Sequence, residues 1–464
     1  MLAEKLQLES QDISHMGNLS HKRVLVVGLG QTGFSCARYL MEQGVEVAVT
    51  DSREAPPALN DLKQAYPDIA VFVGGFNVEA FNRATCLIVS PGISLREPLI
   101  VEARARGVEI VGDIELFARN ADAPVIAITG SNGKTTVTSL LGAMAKASNL
   151  DVRVGGNIGV PALDLLHEPK PDLYILELSS FQLETTESLN ACAAAILNLS
   201  EDHMDRYQDL NDYTAAKAKI YHGSGSLIVN LDDERVVATV KFIRQGRDVV
   251  GFTEHAPEEN QFGICEADNE TYLCCGKEKL ISEKELKIKG RHNIANALAA
   301  LALGKEAGLP IEGMLKALKE FKGLAHRCQW VAENQGVVWF NDSKATNVGA
   351  ALAAIKGILA NNIILIAGGQ GKGQDFTPLQ DAIKSNVSHL ILLGEDAELL
   401  EEALVEFTKI STVADMDEAI TKAHEFAKAG DAVLLSPACA SFDMFSGYEE
   451  RGNVFIAKVN EVLQ

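Results

Sequence analysis

The segment TGSNGKTT, which runs from Thr129 to Thr136, decides how the rest of the chain is interpreted. It follows an apolar, β-branched run at 124–129 and precedes a helical pattern that begins at Lys134. Glycines let backbone N–H groups curl around a phosphate, and a lysine followed by a hydroxyl can reach the phosphates and Mg²⁺. The segment is shorter than the general P-loop, whose first glycine would fall at Ile128, so a plain strand–turn–helix is the alternative.

Short apolar runs alternate with helical patterns on both sides of this segment. This alternation predicts βαβ units, parallel sheets and an α/β fold class. Helices are predicted at 32–43, from 134 and at 293–307, and a small antiparallel section is predicted at 249–290. Strands are predicted at 23–28, 45–50, 86–90, 108–111, 124–129, 173–178, 194–199, 227–230, 337–341, 363–367, 390–393 and 432–436. We expect three domains, at 1–112, 113–323 and 324–464.

Composition excludes several classes of protein. The 464 residues are 47% hydrophobic and 23% charged, which is typical of a globular protein and not of a disordered or coiled-coil chain. The formal net charge of −21 disfavours broad contact with nucleic acid or an anionic membrane. The sequence has no apolar run of about 20 residues and no signal-peptide pattern at its start, so we expect a cytoplasmic protein. Its 8 cysteines contain no CxxC pair, which predicts neither zinc nor a disulfide framework.

A second glycine loop, GLGQTG, spans Gly28 to Gly33 and is followed by Asp51. Its pattern is that of a dinucleotide-binding turn with a ribose-binding acid, which would favour a nicotinamide cofactor. The pattern is weakly specific and also fits another nucleotide diphosphate, which we favour, or a structural turn. Read alone, this loop therefore leaves the ligand open.

Six segments stand in the order seen in the Mur ligases, and the chain resembles this family from about residue 20 to its C-terminus. The segments are TGSNGKTT at 129–136, LELSSFQL at 176–183, NLSEDHMDRY at 198–207, HNIANA at 292–297, AHR at 325–327 and NDSKAT at 341–346. Two further segments, GGQGK at 368–372 and SPACASFD at 436–443, are similar to the D-glutamate-adding branch of the family.

The resemblance implies an ATP-dependent ligase that adds D-glutamate to UDP-N-acetylmuramoyl-L-alanine in peptidoglycan synthesis. It implies a Rossmann-like N-terminal domain for the UDP group, a central ATPase domain and a Rossmann-like C-terminal domain for the amino acid. The first glycine loop would then hold a uridine diphosphate sugar and not NAD. The implied UDP-substrate residues are Gln31, Thr32, Gly33, Asp51, Ser52, Arg53, Ser90, Gly92 and Asn157.

The resemblance assigns ATP and Mg²⁺ to the centre of the chain. The implied ATP-binding residues are Gly130, Ser131, Asn132, Gly133, Lys134, Thr135, Thr136, Asn293, Asn296, Arg327 and Asp342. The implied metal-site residues are Thr135, Glu177, His203 and a carbamylated Lys217, and the last three act in catalysis with Lys134. A solvated helix lysine is the alternative for Lys217, Lys219 is the neighbour that could be mistaken for it, and Asn293 could also cap its helix.

The resemblance places D-glutamate in the third domain and next to the metal site. The implied contacts are His203, Lys344, Thr346, Lys372, Ser441 and Phe442. Two carboxylates need several donors, which these residue types can supply. Phe442 and Tyr448 differ from other family members, so the shape of this pocket is less well defined than its position. We expect a monomer that works on small molecules.

Three other functions fit parts of the sequence. Another Mur-type or folylpolyglutamate ligase would share the central segments. A nicotinamide-dependent oxidoreductase would explain Gly28 to Gly33 and Asp51 but not the second nucleotide loop. A P-loop switch protein would leave the first domain and the segment from Asn341 to Thr346 unexplained.

Overall fold

The computed structural model of the chain describes residues 19, 21–204, 206–243, 246–267, 269–288, 290–358 and 360–463, with the side chain of residue 242 left aside. These residues form three sheets, of five, nine and six strands, which follow one another along the chain. The α/β fold class and its mainly parallel sheets are confirmed.

The first sheet is wholly parallel and has the strand order 3-2-1-4-5 of a nucleotide-binding fold. Its strands are β1 (Val24–Val27), β2 (Val47–Thr50), β3 (Ala70–Phe72), β4 (Cys86–Val89) and β5 (Glu109–Val111). The helices that connect or follow them are α1 (Gln31–Glu42), α2 (Leu59–Ala65), α3 (Val78–Arg83), α4 (Pro98–Ala105) and α5 (Asp113–Asn120). The glycine loop lies between β1 and α1, at the carboxyl edge of the sheet.

The central sheet has the order 14-13-12-11-10-9-6-8-7 and turns antiparallel only at its last strands. Its strands are β6 (Val125–Thr129), β7 (Val152–Gly156), β8 (Leu173–Glu177), β9 (Ala193–Ile196), β10 (Ser226–Asn230), β11 (Val249–Phe252), β12 (Phe262–Ala267), β13 (Glu270–Cys275) and β14 (Glu278–Ser282). Its helices are α6 (Lys134–Ala147), α7 (Ser180–Glu184), α8 (Leu210–Ala218), α9 (Glu234–Ile243), α10 (Arg291–Glu306) and α11 (Ile311–Glu320). Short 3-10 turns lie at Ala162–Leu165, Lys219–Tyr221 and Glu283–Glu285.

The third sheet has the order 15-16-20-17-18-19 and is parallel except at β15. Its strands are β15 (Gln329–Asn334), β16 (Val337–Asn341), β17 (Ile363–Ala367), β18 (Val387–Leu392), β19 (Lys409–Thr412) and β20 (Ala432–Leu435). Its helices are α12 (Val348–Gly357), α13 (Gln380–Asn386), α14 (Ala397–Leu404), α15 (Met416–Phe426) and α16 (Tyr448–Val462), with a 3-10 turn at Thr377–Leu379. Because parallel strands end at a common edge, the loops after β16, β17 and β20 meet there.

The hydrophobic core explains why the strands read as continuous apolar runs. Every residue of β6 and β17 is buried, as expected for strands covered by helices on both faces. One buried cluster continues from the first sheet into the central one, and it includes Phe117 of α5 packed edge-on against Tyr174 of β8. The first two sheets therefore share a core across α5.

The structure corrects three details. The antiparallel section begins at β12, because β11 pairs in parallel with β10. One disulfide is present that the sequence did not predict: Cys265 of β12 and Cys274 of β13 are bonded, with Cα atoms 6.2 Å apart. Spacing could not reveal this pair, because only the hairpin register brings the two strands together. The helix predicted at 293–307 begins at Arg291 with Gly290 as its cap, so capping by Asn293 is also wrong.

Among the described residues, no helix has both the length and the apolar character needed to cross a membrane.

Candidate active site

The phosphate loop between β6 and α6 is fixed to the end of β9. The side chain of Asn198 accepts a hydrogen bond from the backbone N–H of Asn132 (2.8 Å) and donates one to its carbonyl (3.1 Å). The Ser131 hydroxyl donates to the Ser200 carbonyl and accepts from the Ser200 N–H, both at 2.9 Å. Gly133 has a φ of 83°, and a Cβ there would lie 2.4 Å from Asn296 Oδ1, so glycine is required. The sequence therefore builds a rigid turn in front of the helix.

Two lysines point at the same carbonyl of this loop. Lys134 Nζ and Lys217 Nζ each lie 2.8 Å from the oxygen of Gly130, and Lys134 also donates to the Ser131 carbonyl. Lys217 is buried, donates to Thr129 Oγ1 at 3.2 Å, and lies 4.7 Å from the centre of the Tyr213 ring. Burial, and then the neighbouring Lys134, hold the pKa of Lys217 well below its ordinary value. The buried environment therefore favours the neutral amine at Lys217.

Glu177, at the end of β8, carries an unsatisfied carboxylate oxygen. Its Oε1 accepts a hydrogen bond from Asn157 Nδ2 at 2.8 Å, whereas its buried Oε2 has no hydrogen-bond partner within the described residues. A buried polar atom without a partner is costly and indicates a ligand. Thr135 Oγ1 supplies a second oxygen, and hard cations such as Mg²⁺ prefer oxygen donors. No cluster of three or more His, Cys, Asp or Glu side chains suited to a metal was found in the described part of the chain.

The link to the third domain reaches into the phosphate loop. Arg327 Nη2 donates to Thr135 Oγ1 at 2.5 Å. Its neighbours His326 and Cys328 have φ values of 61° and 42°, and the buried His326 ring is held by Asn341 Nδ2 at 2.9 Å. This strained link directs Arg327 toward the phosphate loop and leads the chain into the next domain.

A cavity of about 390 Å³ lies between the phosphate loop, α10 and the third domain. The predicted residues that line it are Asn132, Gly133, Thr136, Asn293, Asn296, Arg327, Asp342 and Lys344. Asp342 is held by the Cys328 N–H (3.0 Å) and the Ser436 hydroxyl (2.9 Å), and burial raises its pKa to about 7. Sequence reasoning missed the far end of this cavity, which is formed by Asn230, Asp233, Phe252, Glu254 and His292. Asn230 and Phe252 end β10 and β11, Asp233 and Glu254 follow these strands, and His292 lies in α10 at the start of the HNIANA segment, where only the two asparagines had received a role.

The third domain faces the central one across Asp202, a residue that the sequence did not single out. Asp202 Oδ2 accepts from Asn347 Nδ2 at 3.3 Å and lies 3.6 Å from His203 Nε2, and its Oδ1 lies 3.8 Å from Lys372 Nζ. His203 has a φ of 58° and its ring lies 4.8 Å from that of Phe181. Burial lowers the pKa of His203 despite the nearby Asp202. His203 and Lys372, both predicted, are thus brought together.

The other residues predicted to bind D-glutamate lie around the same edge of the third sheet. Lys344 Nζ lies 3.8 Å from the centre of the Tyr448 ring, and burial lowers its pKa to about 8. The turn at 368–372 is bridged to the loop of Ser441 through Gln370 and Ala440, whose N–H groups donate to each other's carbonyls at 3.0 and 2.8 Å. Ser441 is buried, Phe442 is 70% exposed and Thr346 is half-buried. Phe442 therefore lies at the rim and not in the interior.

The predicted UDP residues form a separate group in the first domain. Buried Asp51 accepts hydrogen bonds from the Leu29 N–H (2.7 Å) and from the backbone and guanidinium of Arg53 (2.7–2.9 Å). Burial alone would raise the pKa of Asp51, but these donors outweigh it and lower the pKa below its ordinary value. A Cβ on Gly33 would lie 1.9 Å from the Gly28 carbonyl, so the turn requires glycine there.

The other residues predicted for the UDP substrate divide between the two domains. Ser90 donates its hydroxyl to the Gly28 carbonyl at 2.8 Å, whereas Asn157 lies with Glu177 in the central domain. Gln31 and Thr32 open α1, and Ser52 and Gly92 are exposed in loops at the same sheet edge. Arg206, which the sequence did not single out, joins the domains by donating to the Ile93 carbonyl at 2.9 Å.

Glycine loops at the first and central sheets, followed by a third α/β domain, are the architecture of an ATP-dependent amide-bond-forming ligase. The chain belongs to the Mur ligase family. It matches the models "Mur ligase MurD-like, N-terminal domain" at 22–112, "Mur ligase middle domain" at 128–304 and "Mur ligase, glutamate ligase domain" at 326–439.

The relatives cover nearly the whole chain. It is 53% identical over 440 residues to the UDP-N-acetylmuramoylalanine–D-glutamate ligase of Nitrosococcus oceani, covering 95% of this chain and 96% of that one. It is 52% identical to the enzyme of the same name from Pseudomonas putida, covering 93% and 96%. Its fold is similar to a pseudomurein peptide ligase type C of Methanothermus fervidus (TM-score 0.60, 19% identity, 96% and 100% covered). It is also similar to a UDP-N-acetylmuramate-alanine ligase of Thermotoga maritima (TM-score 0.58, 18% identity, 95% and 100% covered).

Proposed function

We propose that this chain joins D-glutamate to UDP-N-acetylmuramoyl-L-alanine, with conversion of ATP to ADP and phosphate, in peptidoglycan precursor synthesis. The observation that carries the proposal is the convergence of Lys134, Glu177, Arg327 and Lys344 on one junction between the second and third domains. The full-length identity of about half to enzymes named for this reaction supports the choice of substrates. We further propose the domain division at 112/113 and 323/324, a cytoplasmic location and action as a monomer.

A carboxylate does not react directly with an amine to form an amide, because the group that would have to leave is oxide. ATP therefore has to activate the carboxylate first. A carboxylate oxygen of the alanyl group attacks the γ-phosphorus of ATP, the bond to the β,γ-bridging oxygen breaks, and ADP leaves. The amine of D-glutamate then attacks the acyl carbon, a proton leaves the nitrogen, and phosphate departs with the former carboxylate oxygen. Lys134 and Arg327 neutralise the charge that develops on the transferred phosphoryl group. Positioning and charge neutralisation therefore supply most of the catalysis.

The residues present fit Mg²⁺. Thr135 and Glu177 would hold one ion, because the Glu177 Oε2 atom lacks a protein partner in the described part and both side chains offer oxygen. Lys217, once carbamylated by CO₂, and His203 would hold a second ion. When bound, the ions neutralise phosphate charge and align the oxygens. The neutral amine favoured at Lys217 is the form that reacts with CO₂, which supports the carbamate.

The substrate roles divide by domain. Asp51 and Arg53 would bind the uridine end, with Gln31, Thr32, Gly33, Ser52, Ser90 and Gly92 along the nucleotide and Asn157 near the muramoyl end. Asn293, Asn296 and Asp342 would hold the nucleoside of ATP. Lys344, Thr346, Lys372, Ser441 and His203 would receive D-glutamate, with Phe442 closing the rim.

Phosphate release tests the proposal. The assay combines ATP, Mg²⁺, the UDP precursor and a panel of amino acids, including both enantiomers of glutamate. We expect release only when the precursor and D-glutamate are both present. Release with L-alanine, a diamino acid or a dipeptide would keep the ligase and change the substrate, and release with a folate would indicate the folylpolyglutamate reaction. Oxidation of NADH without phosphate release would overturn the proposal.

A further inference from the structure

A buried carboxylate lies outside the groups that the proposed mechanism uses. Asp113 is the first residue of α5, the helix that connects the first domain to the second, and it is only 3% exposed. Its Oδ2 accepts a hydrogen bond from Gln182 Nε2 at 2.8 Å, and its buried Oδ1 has no hydrogen-bond partner in the described part of the chain. Burial raises the pKa of Asp113 to about 6, although the Gln182 amide and backbone N–H groups at the start of the helix favour the charged form.

Gln182 also forms hydrogen bonds with Ser179, in the turn that follows Glu177. Its Oε1 accepts hydrogen bonds from the backbone N–H (3.1 Å) and hydroxyl (3.2 Å) of Ser179, and its own N–H donates to the Ser179 hydroxyl at 3.2 Å. The orientation of the amide is fixed, because a flipped group would set its oxygen against a carboxylate and its NH₂ against an N–H. Ser179, the N-cap of α7, lies two residues after Glu177 and is thus connected through Gln182 to α5.

The same short helix supports His203. Phe181, next to Gln182, has its ring 4.8 Å from that of His203 and 4.5 Å from the Arg206 guanidinium. The short helix that carries Gln182 therefore follows Glu177 in the chain and contacts His203 through Phe181. The segment LELSSFQL was recognised from the sequence, but only Glu177 received a role there.

We propose that Asp113 is a positioning residue that acts through Gln182 to set the orientation of Glu177 and Phe181, and so couples the first domain to the metal–nucleotide site. The inference rests on the proposed function for its kinetic readout. Partners behind a metal ligand tune its affinity and orientation, and their loss costs about 10–100-fold in metal affinity or activity. A contact that only stabilised the fold would leave the metal requirement unchanged.

Exchanging the amide and the carboxylate between positions 113 and 182 tests the interaction between Asp113 and Gln182. In Gln182→Glu, an oxygen replaces the Nε2 group that donates to Asp113, so two carboxylates face each other while the other oxygen can still accept from Ser179. In the double variant Asp113→Asn/Gln182→Glu, the new amide donates to the new carboxylate, whose other oxygen can still accept from Ser179. We expect Gln182→Glu and Gln182→Ala to raise the Mg²⁺ concentration for half-maximal activity about tenfold and lower kcat. We expect the double variant to return the Mg²⁺ requirement and kcat most of the way to the values of the unaltered enzyme. The KM for D-glutamate should change little in all three variants.

Glu115 provides the matched control. It lies on the same helix, is equally buried at 3%, and accepts the backbone N–H groups of Glu187 (2.7 Å) and Ser188 (2.9 Å) at the far end of the same segment. We expect Glu115→Gln to lower the melting temperature without moving the Mg²⁺ requirement. An equal shift in Glu115→Gln, or no recovery in the double variant, would overturn the proposal.

A second measurement keeps this test separate from the identity of the substrates. Equilibrium binding of Mg²⁺ and ATP to the intact variants needs neither D-glutamate nor the UDP precursor. Weaker Mg²⁺-dependent ATP binding in Gln182→Ala, with recovery in the double variant, is expected even if another amino acid is the true substrate. Unchanged binding in Gln182→Ala contradicts the positioning role. If Gln182→Glu fails to fold, the single variants Asp113→Asn and Gln182→Ala carry the same comparison.

Discussion

Replacing Lys217 by alanine tests the most demanding part of the metal site. The side chain is 1% exposed and its amine nitrogen donates to Gly130 and Thr129, so its removal leaves an enclosed space beside the phosphate loop. If Lys217 carries a carbamate that faces Mg²⁺, the variant loses a metal ligand and one negative charge. We expect kcat to fall at least about 100-fold, which is about 2.7 kcal/mol of barrier at 1.36 kcal/mol per tenfold.

The space left by removing the Lys217 side chain allows a rescue experiment with added carboxylates. Short carboxylates can enter a cavity of this kind and place an oxygen where the carbamate stood. We expect acetate, propionate or butyrate at tens of millimolar to restore part of the activity, because a free ligand lacks the advantage of being tethered. A bulky carboxylate such as trimethylacetate should restore none. The readout is phosphate release, with circular dichroism to show that the variant is folded.

Lys219 supplies the control for this experiment. It lies two residues along, is half-buried, and donates to the Glu184 carbonyl at 2.6 Å, away from the phosphate loop. Lys219→Ala should keep most of its activity and gain nothing from added carboxylates. Full activity in Lys217→Ala, or rescue seen equally in Lys219→Ala, would refute the carbamate assignment.

Three further predictions follow from the same site. Lys134→Ala should abolish phosphate release, because its ammonium lies within 2.8 Å of two loop carbonyls where the phosphates would dock; normal turnover would remove the P-loop assignment. Asp51→Ala should weaken binding of the UDP precursor about tenfold, which is about 1.36 kcal/mol, because it removes the hydrogen bonds that position Arg53 and the Leu29 N–H; ATP binding should be unaffected in calorimetry. Burial lowers the pKa of Lys344 to about 8, so its positive charge is lost as the pH rises through 8; kcat/KM for D-glutamate should fall there, and Lys344→Arg, if active, should remove the fall. A flat profile for the unaltered enzyme would exclude Lys344 from amino-acid binding.

The sequence predicted best where a motif, a strand end and a glycine coincide. Lys134 and Glu177 follow fully buried strands, and parallel strands ending at one edge bring such residues together. The same argument places Asp342 and Lys372 at the edge of the third sheet. The resemblance to a known family added the substrates, which neither spacing nor charge could supply.

Contacts between distant segments could not be predicted. Asp202 meets Asn347 and Lys372 only after two domains are packed, and the far end of the cavity is built from two strand ends, the residues after them and the start of a helix. The disulfide between Cys265 and Cys274 depends on hairpin register, and Gln182 gains its role from a helix that lies far away in the sequence. Each depends on tertiary geometry that no local pattern encodes.

The path of one oxygen atom tests the central claim most directly. The carboxylate of the UDP precursor is labelled with ¹⁸O, and the mass of the phosphate product is measured by mass spectrometry. If ATP activates this carboxylate, one labelled oxygen is transferred to the phosphate. We expect each amide bond formed with D-glutamate to release one phosphate that carries one ¹⁸O atom. Phosphate without label, released at the same rate as amide formation, would contradict it.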